Sequence, residues 1–435
     1  MITNVRTKLP GPESKKYLDM SLEYEPRCMT VQAPIVWKSG KGAQVEDVDG
    51  NKYIDFTSGV LVTNVGHSHP EHVKAIQEQA ANLLNCYDFP TVQRITLAKK
   101  LVEISPPHLD RAFLLTTGAE VIEACLRLAK RYTGKHEIIS FYGAFHGRTY
   151  GALGIGGMPG PKRHYGPKLP GTILVPYPNP YRRPFGNNDK ECVEEFFKFL
   201  DLTVAAESVD DIAGVIVEPY QGTAGFIFPP KGFNKRLEEW THAHGALFIL
   251  DEVQSSFGRT GKMFAMEWED LKPDMVALGK GIGSGVPTAA MLAKSEILEC
   301  LGPGEMSSTT GGNPLSCAAA LAVIDIMQKE KLPQRALKIG NYILDRFKKF
   351  QPKCKILGDV RGKGLVMGLE IVKDKKTKEP APDLAKQITL DGCQNGVLLG
   401  KLGFYGNVIR IAPPLVISED EAEEAVDIIC KVMKK

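Results

Sequence analysis

The sequence lacks an excess of charge of either sign. Lysine and arginine together number 54 and aspartate and glutamate 51, so the net charge is +3 over 435 residues. Proteins that bind nucleic acid or anionic lipid rely on clustered basic residues, because phosphate charge supplies much of the affinity. We therefore expect no nucleic-acid partner and no other polyanion.

Long apolar runs are also missing. The longest run, Cys317–Ile324, ends at Asp325 and is far shorter than the roughly 18 to 20 residues that span a bilayer. The N-terminal segment MITNVRTKLP has no apolar stretch ahead of a small-residue cleavage site, which a secretory signal requires. The sequence thus predicts neither a membrane span nor a secretory signal.

Cysteine usage is sparse and unordered. Nine cysteines are scattered along the chain, and no two form a C-x-x-C pair. An odd number without that spacing fits neither a disulfide framework nor a zinc cluster. The three histidines His67, His69 and His72 are close in sequence, but the intervening Pro70 favours a turn over a metal site. We expect no metal and a reducing, cytoplasmic compartment.

Apolar and amphipathic segments alternate along the middle of the chain. With 43% apolar residues, a chain of this length is expected to form two or three domains with substantial cores. The runs that predict strands are Ala112–Leu115, Ile138–Phe141, Thr172–Val175, Ile212–Val217, Ala246–Leu250 and Met275–Leu278. The clearest helical pattern, Ala119–Tyr132, is apolar on one face and charged on the other. Together they predict an α/β fold with a mostly parallel sheet covered on both faces.

The domain organisation follows from a change of pattern near residue 319. We assign residues 71–319 to the large domain and residues 320–435 to a smaller α+β domain. The elements expected after Pro314 are a long helix, short strands at Gly364–Ile371 and Val408–Ile411, and helices at Asp383–Asn395 and from Glu419. Residues 1–70 contain a hairpin signal at Asp49-Gly50, and we expect them to be part of the small domain.

The strongest local signal is the segment Thr116–Glu120, between a predicted strand and the predicted helix. Thr117 and Glu120 have the spacing of a capping box. A helix start binds phosphate through its free N–H groups and its dipole, and Gly118 lets an anion come close. A well-capped helix without a ligand is the alternative, since capping boxes are common. The glycine-rich segments 154–160 and 279–285 match neither the P-loop nor the G-x-G-x-x-G pattern.

Two further polar positions follow predicted strands. Asp251 and Glu252 come at the carboxyl end of a buried strand, where open α/β sheets bind ligands. A metal-binding acid is one interpretation, and a carboxylate that holds a protonated heterocycle nitrogen is another. Lys280 stands among four glycines; it is either a solvated loop lysine or a desolvated Schiff-base nucleophile. A phosphate-binding helix start, such an acid and such a lysine are together the parts of a pyridoxal phosphate site.

With these residues assembled, the sequence closely resembles the class III (ω-amino-acid type) aminotransferases, pyridoxal phosphate enzymes of fold type I. The likeness covers essentially the whole chain and is greatest to the 4-aminobutyrate-type members. The matching motifs are Asp55-Phe56, Gly66–Pro70, Phe145–Thr149, Glu218–Gly222, Asp251–Gly261, Gly279–Gly281, Thr309–Pro314 and Arg410–Pro414. The resemblance implies a large domain with a mostly parallel seven-stranded sheet and a smaller α+β domain built from both termini.

The resemblance also implies roles at the cofactor ring. Lys280 matches the residue that binds the cofactor covalently and later moves the substrate proton. Asp251 matches the partner of the ring nitrogen, which a carboxylate keeps protonated. Val253 and Phe145 match residues on opposite faces of the ring. Gln254 matches a residue that bonds near its phenolic oxygen.

Phosphate binding and assembly are implied in the same way. Gly118 and Ala119 match the backbone groups that hold the phosphate, and Ala119 stands where serine is frequent, which removes one hydroxyl donor. Thr309 matches a threonine that reaches the phosphate from the neighbouring subunit. The following Thr310 replaces a frequent aromatic residue, which leaves substrate preference open. The resemblance implies a homodimer with shared active sites, or a dimer of such dimers.

Three charged residues match the substrate-binding positions of the family. Arg410 matches the arginine that takes the α-carboxylate of an α-amino acid. Glu218 matches a glutamate that pairs with this arginine when the substrate has no carboxylate there. Arg148 matches the residue that holds the distal carboxylate, for which a guanidinium fork is suited.

The expected function is transfer of an amino group from an ω- or α-amino acid to a 2-oxo acid such as 2-oxoglutarate or pyruvate. The donor would be 4-aminobutyrate-like, ornithine-like or alanine-like. The first alternative is an amino-acid racemase or epimerase, because some relatives keep the same lysine site yet return the proton to the opposite face of Cα. The second is a non-enzymatic or nucleotide-binding α/β protein, which requires Lys280 to be exposed and idle.

Overall fold

The computed structural model describes residues 2–29, 31–166 and 169–434. The chain divides into two compact units. The terminal unit contains the residues up to Pro70, Gly258–Gly261 and the residues from Glu330 onward. The central unit contains Glu71–Phe257 and Lys262–Lys329. The domain boundaries expected from the sequence, after residues 70 and 319, stay a prediction.

Strands and helices alternate through most of the described residues. The strands are β1 (Trp37–Lys41), β2 (Gln44–Asp47), β3 (Lys52–Asp55), β4 (Arg111–Leu115), β5 (Glu137–Phe141), β6 (Thr172–Val175), β7 (Ile212–Val217), β8 (Leu247–Asp251), β9 (Met275–Leu278), β10 (Ala289–Ala293), β11 (Leu357–Gly362), β12 (Met367–Ile371), β13 (Val397–Leu398), β14 (Gly400–Leu402) and β15 (Val408–Ile411). The α-helices are α1 (Pro12–Tyr24), α2 (Ser58–Leu61), α3 (Pro70–Ala80), α4 (Val92–Glu103), α5 (Gly118–Thr133), α6 (Tyr150–Ile155), α7 (Asp189–Glu207), α8 (Phe233–Ala243), α9 (Ser295–Leu298), α10 (Pro314–Lys329), α11 (Leu332–Phe350), α12 (Pro382–Gln394) and α13 (Glu419–Val432). Within the described residues, no helix combines the length and apolar composition that crossing a bilayer requires.

The central unit is built on a seven-stranded sheet with the order β4-β10-β9-β8-β7-β5-β6. β10 runs antiparallel to both of its neighbours, and the pairs from β9 to β6 are parallel. Every residue of β5, β7, β8, β9 and β10 is buried, which explains their continuous apolar runs. The expected α/β fold with a mostly parallel seven-stranded sheet is confirmed.

Helix α5 packs its apolar face on this sheet, where Val121, Ile122, Cys125, Leu128 and Ala129 are all buried. The helix ends at a left-handed glycine after Thr133 and has basic residues in its last turn, which favour a helix C-terminus. The predicted helix is therefore confirmed, and the structure extends it by one residue at each end.

The prediction of a single long helix after Pro314 is wrong, because the structure has two helices there. α10 ends at Lys329, and α11 begins at Leu332. Lys331 adopts a left-handed φ of 50°, and Pro333 lies in the first turn of α11. A proline lacks the N–H that a continuous helix needs in its interior but is well suited to a first turn. The chain therefore starts a new helix at this point.

The terminal unit contains two four-stranded sheets, β1-β2-β3-β13 and β11-β12-β15-β14. The predicted hairpin is confirmed: β2 and β3 are antiparallel, and Gly50 has the positive φ (78°) that such a turn needs. β3 pairs in parallel with β13, so an N-terminal and a C-terminal segment share one sheet.

The fully buried Arg259 donates to the carbonyls of Leu365 (2.9 Å) and Pro413 (2.6 Å) and to Asn64 Oδ1 (2.6 Å).

Candidate active site

A cavity of about 250 Å³ in the central unit brings together most of the site residues expected from the sequence. It is lined by Gly118, Ala119, Phe145, His146, Gly147, Glu218, Tyr220, Thr223, Asp251, Val253, Gln254, Ser255 and Lys280. Parallel strands bring their carboxyl ends to one edge of a sheet, and β7, β8 and β9 are neighbours in this one. The residues that follow these strands therefore meet at the position where open α/β sheets bind ligands.

The start of α5 contributes backbone N–H groups to the cavity. Its capping box is formed as predicted: Thr117 Oγ1 accepts from the amide of Glu120 (3.3 Å). The Glu120 carboxylate accepts from the amides of Thr116 (3.0 Å) and Thr117 (2.8 Å). The amides of Gly118 and Ala119 have no hydrogen-bond partner in the described part of the chain. Two donors at the positive end of a helix dipole are thus left for an anion.

Glycine at position 118 is a steric requirement. A Cβ there would lie 2.8 Å from Val253 Cγ1, which is closer than two carbon atoms approach each other. Val253 faces the same cavity. The chain therefore keeps this face of the cavity open between the helix start and the Val253 side chain.

Asp251 ends β8 with its carboxylate held by two neighbours, and its side chain is 5% exposed. One oxygen accepts from the amide of Val253 (3.0 Å), and the other lies 2.7 Å from His146 Nδ1. The next acid, Glu252, is fully buried and accepts from Ser255 Oγ (2.9 Å) and from the first two backbone amides of the short 3₁₀ helix Ala265–Trp268 (2.7 Å each). Of the acid pair, Asp251 lines the cavity and Glu252 holds the start of a short 3₁₀ helix.

His146 lies within the Phe145–Thr149 motif and is the neighbour that orients Asp251. Its side chain is fully buried, and its other ring nitrogen lies 3.5 Å from Ser140 Oγ. The available signal was its place between Phe145 and Gly147 in a motif of the family. That motif does not reveal that the imidazole contacts Asp251, because the two residues are 105 positions apart.

Lys280 follows β9 and begins a short 3₁₀ helix, Lys280–Ile282. Its side chain lines the cavity, and its backbone has a left-handed φ of 46°. This conformation is uncommon for residues other than glycine and costs roughly 1 kcal/mol. Such strain is concentrated at functional sites, where the surrounding structure holds it in place.

Glu218 follows β7 and is 7% exposed. Its carboxylate accepts from the amides of Phe145 (3.0 Å) and Gly222 (2.8 Å). Burial raises the pKa of Glu218 to about 7, and the negative charge of Asp251 acts in the same direction, while His146 and the two amides oppose the rise. The cavity thus contains a carboxyl group that changes protonation near neutral pH.

The comparison with known proteins decides the family. Residues 28–433 match the family model for aminotransferase class-III. The chain belongs to the class-III aminotransferases. The alanine/serine racemase of Pyrococcus horikoshii is 37% identical over 98% of this chain and 92% of its own length. The probable 4-aminobutyrate aminotransferase of Bacillus subtilis is 38% identical over 90% of this chain and 91% of its own length.

Solved structures agree with this assignment. An amine transaminase from an uncultivated Pseudomonas species, in a PLP-bound form, aligns with a TM-score of 0.89 at 29% identity, over 99% of both chains. The cofactor of this class-III aminotransferase is pyridoxal phosphate. The described residues fit that group: the open amides of α5 suit its phosphate, and Asp251 suits its ring nitrogen.

Gln254 gives a further indication that this class-III aminotransferase holds a polar ligand. Its Oε1 atom is buried and has no hydrogen-bond partner in the described residues. A Cβ at Gly222 would lie 2.2 Å from this atom, so only glycine at 222 leaves Gln254 in its present position. A buried acceptor without a donor is costly unless a ligand supplies one.

Three residues expected near the ligand lie outside the cavity lining, and so does Thr310. Arg148 is exposed, with its guanidinium carbon 5.9 Å from the Phe145 ring centre, and Thr309 is exposed in the loop before α10. Thr310 Oγ1 lies 3.5 Å from Thr116 Oγ1, just ahead of α5. Arg410 lies on β15 of the terminal unit and is 5% exposed. The roles given to these residues stay predictions.

Proposed function

We propose that this enzyme moves the amino group of an ω- or α-amino acid to a 2-oxo acid such as 2-oxoglutarate or pyruvate. The observation that carries the proposal is that Lys280 and Asp251 line one cavity with the open amides of α5. The 4-aminobutyrate aminotransferase relative supports a donor of the ω-amino-acid type. Ornithine-like and alanine-like donors are the other members of the expected class.

The amine of Lys280 has two tasks in this proposal. When bound, pyridoxal phosphate supplies an aldehyde carbon that bonds to amines and a ring that takes up electrons from the substrate Cα. Lys280 would hold the cofactor through its amine. The same amine would take and return the proton at the substrate Cα. The strained backbone of Lys280 supports this assignment.

Asp251 keeps a proton on the ring nitrogen of the cofactor. Its two oxygens are already oriented by the Val253 amide and by His146, so the carboxylate does not have to reorganise when the ring binds. Preorganised charge of this kind is worth more in a buried site than in water. Val253 and Phe145, which line the cavity with Asp251, are proposed to cover the two ring faces, and Gln254 to bond near the phenolic oxygen.

Substrate carboxylates are assigned to arginines. Arg410 takes the α-carboxylate, and Arg148 takes the distal one, since a guanidinium fork matches a carboxylate with two parallel bonds. Glu218 pairs with Arg410 when the bound substrate has no carboxylate there. The buried carboxyl of Glu218, held by the amides of Phe145 and Gly222, supports a fixed position for such a partner.

A racemase is the second candidate, supported by the likeness to the alanine/serine racemase of Pyrococcus horikoshii. The experiment offers a panel of amino donors with 2-oxoglutarate or pyruvate, followed by chiral analysis of each amino acid incubated alone. A new amino acid that forms only when a 2-oxo acid is present supports transamination. Inversion of a single amino acid without any 2-oxo acid supports the racemase, and the absence of both reactions across the panel contradicts both candidates.

For its assembly and location, we propose a homodimer in the cytoplasm. Exposed apolar side chains at Leu83, Leu84, Phe89, Val92 and Ile95 support a subunit interface in the central unit. Thr309, exposed on its loop, is proposed to reach the phosphate of the neighbouring subunit. The nine cysteines, all free thiols, support a reducing compartment.

A further inference from the structure

Arg410 is a buried cation with an incomplete set of partners. Its Nη2 donates to Gln32 Oε1 (2.8 Å), while its Nε is inaccessible and has no hydrogen-bond partner among the described residues. Burial lowers the pKa of Arg410 to about 10, and the negative charge of Asp55 opposes that change. A buried guanidinium of this kind favours an additional anionic ligand.

Asp55 acts on Arg410 through charge at a distance, because its oxygens have other partners. One oxygen accepts from the amide (2.7 Å) and the hydroxyl (2.7 Å) of Thr57. The other lies 2.9 Å from His67 Nε2. Among the described residues, the Arg410 side chain therefore donates a hydrogen bond to the neutral Gln32 and to no carboxylate.

The contact with Gln32 involves the edge of the guanidinium that suits a carboxylate. In arginine, the Nε and Nη2 groups lie on one edge and donate in parallel, as bidentate carboxylate binding requires. Gln32 accepts from Nη2, one of the two nitrogens of that edge. The backbone of Gly400 lies against the same group, since a Cβ there would be 2.4 Å from Nη2. The guanidinium is thus fixed while one half of its edge lacks a partner.

We propose that Gln32 is a neutral placeholder that the substrate α-carboxylate displaces from Arg410, which makes Gln32 a specificity-determining residue. The inference rests on the proposed role of Arg410. Gln32 is exposed and lies in the segment between α1 and β1, so its side chain has room to move aside. A hydrogen bond from a cation to an amide is weaker than one to an anion. The substrate carboxylate therefore displaces the glutamine, whereas a glutamate at position 32 would stay bound to Arg410.

The test uses the holoenzyme and propanoate, a carboxylate without an amine, with binding measured by isothermal titration calorimetry. Gln32→Glu should weaken propanoate binding by about ten- to a hundredfold, the value of one charge-assisted bond. The KM for α-amino acids should rise by the same factor, while kcat stays within about threefold. Gln32→Ala should bind propanoate as tightly as the wild type or more tightly. Gln334→Glu, on the exposed face of α11, makes the same charge change and should have no effect.

Arg410→Ala separates failure of this inference from failure of the proposed function. If Arg410→Ala loses propanoate binding but Gln32→Glu binds it normally, Gln32 does not occupy the carboxylate position and the inference is wrong. If Gln32→Ala weakens binding as much as Arg410→Ala, Gln32 supports the arginine and is not displaced, which also overturns it. If Arg410→Ala binds propanoate normally, the proposed role of Arg410 itself fails.

Discussion

Glu218 makes the stability of the cofactor-free enzyme depend on pH in a direction that the structure determines. Its carboxyl is 7% exposed, and burial raises its pKa from 4.5 to about 7. Between these two pH values the folded protein binds more protons at this site than the unfolded chain does. The contribution of Glu218 to the free energy of unfolding is therefore complete below about pH 4.5 and is lost as the pH rises through about 7.

The size of the effect follows from the shift. At 1.36 kcal/mol per pKa unit, the rise corresponds to about 3 kcal/mol. Glu218→Gln removes the titrating carboxyl. The side-chain NH₂ group of the glutamine also replaces one of the two oxygens that accept from the backbone amides of Phe145 and Gly222. That loss of about 1 kcal/mol does not depend on pH. The free energy of unfolding of the variant, measured relative to that of the wild type, should therefore rise by about 2–3 kcal/mol from pH 5 to pH 8.

Urea unfolding of the cofactor-free proteins, followed at intervals from pH 5 to pH 8, measures this difference. Glu252 carries a similar rise in pKa for the same reason, but it is present in both proteins and cancels in the comparison. Glu239→Gln, at an exposed position of α8, should follow the wild type within about 0.5 kcal/mol. A constant difference between Glu218→Gln and wild type across this range would refute the argument that the carboxyl is desolvated.

Three further substitutions test the assigned roles. Asp251→Asn should lower kcat by at least about a hundredfold, because an amide cannot hold a proton on the ring nitrogen; near wild-type turnover in steady-state assays would contradict that role. Glu218→Ala should impair chiefly the ω-amine half-reaction and Arg410→Ala chiefly the α-amino-acid one, each by about ten- to a hundredfold in kcat/KM in single-turnover assays. Equal losses in both half-reactions for Glu218→Ala would rule out the pairing with Arg410.

The strands that form the site were predictable from sequence because they are buried on both faces. Ile212–Val217 and Met275–Leu278 coincide with β7 and β9, in which every residue is buried. Their continuous runs of β-branched and large apolar residues give a signal that turns and helices do not produce. The predicted strand Ala246–Leu250 is displaced by one residue, since β8 includes Asp251.

β10 was not predicted, because its sequence AAMLA has little β-propensity. It becomes a strand through its position between β4 and β9 in the sheet. The contacts of His146 with Asp251 and of Gln32 with Arg410 also could not be predicted from the sequence. They join residues 105 and 378 positions apart, and no local pattern encodes such pairs. Motif resemblance pointed to the reacting residues but not to the side chains that orient them.

The most direct test of the account is to locate the cofactor on the chain. The purified enzyme should be yellow, and borohydride reduction should remove the absorbance band and fix the cofactor covalently to a lysine. Peptide mapping by mass spectrometry should then find the added mass on the peptide that contains Lys280, and Lys280→Ala should fold and lack it. A protein that stays colourless with added pyridoxal phosphate, or an adduct on a different lysine, would contradict the assignment of this cavity as the active site.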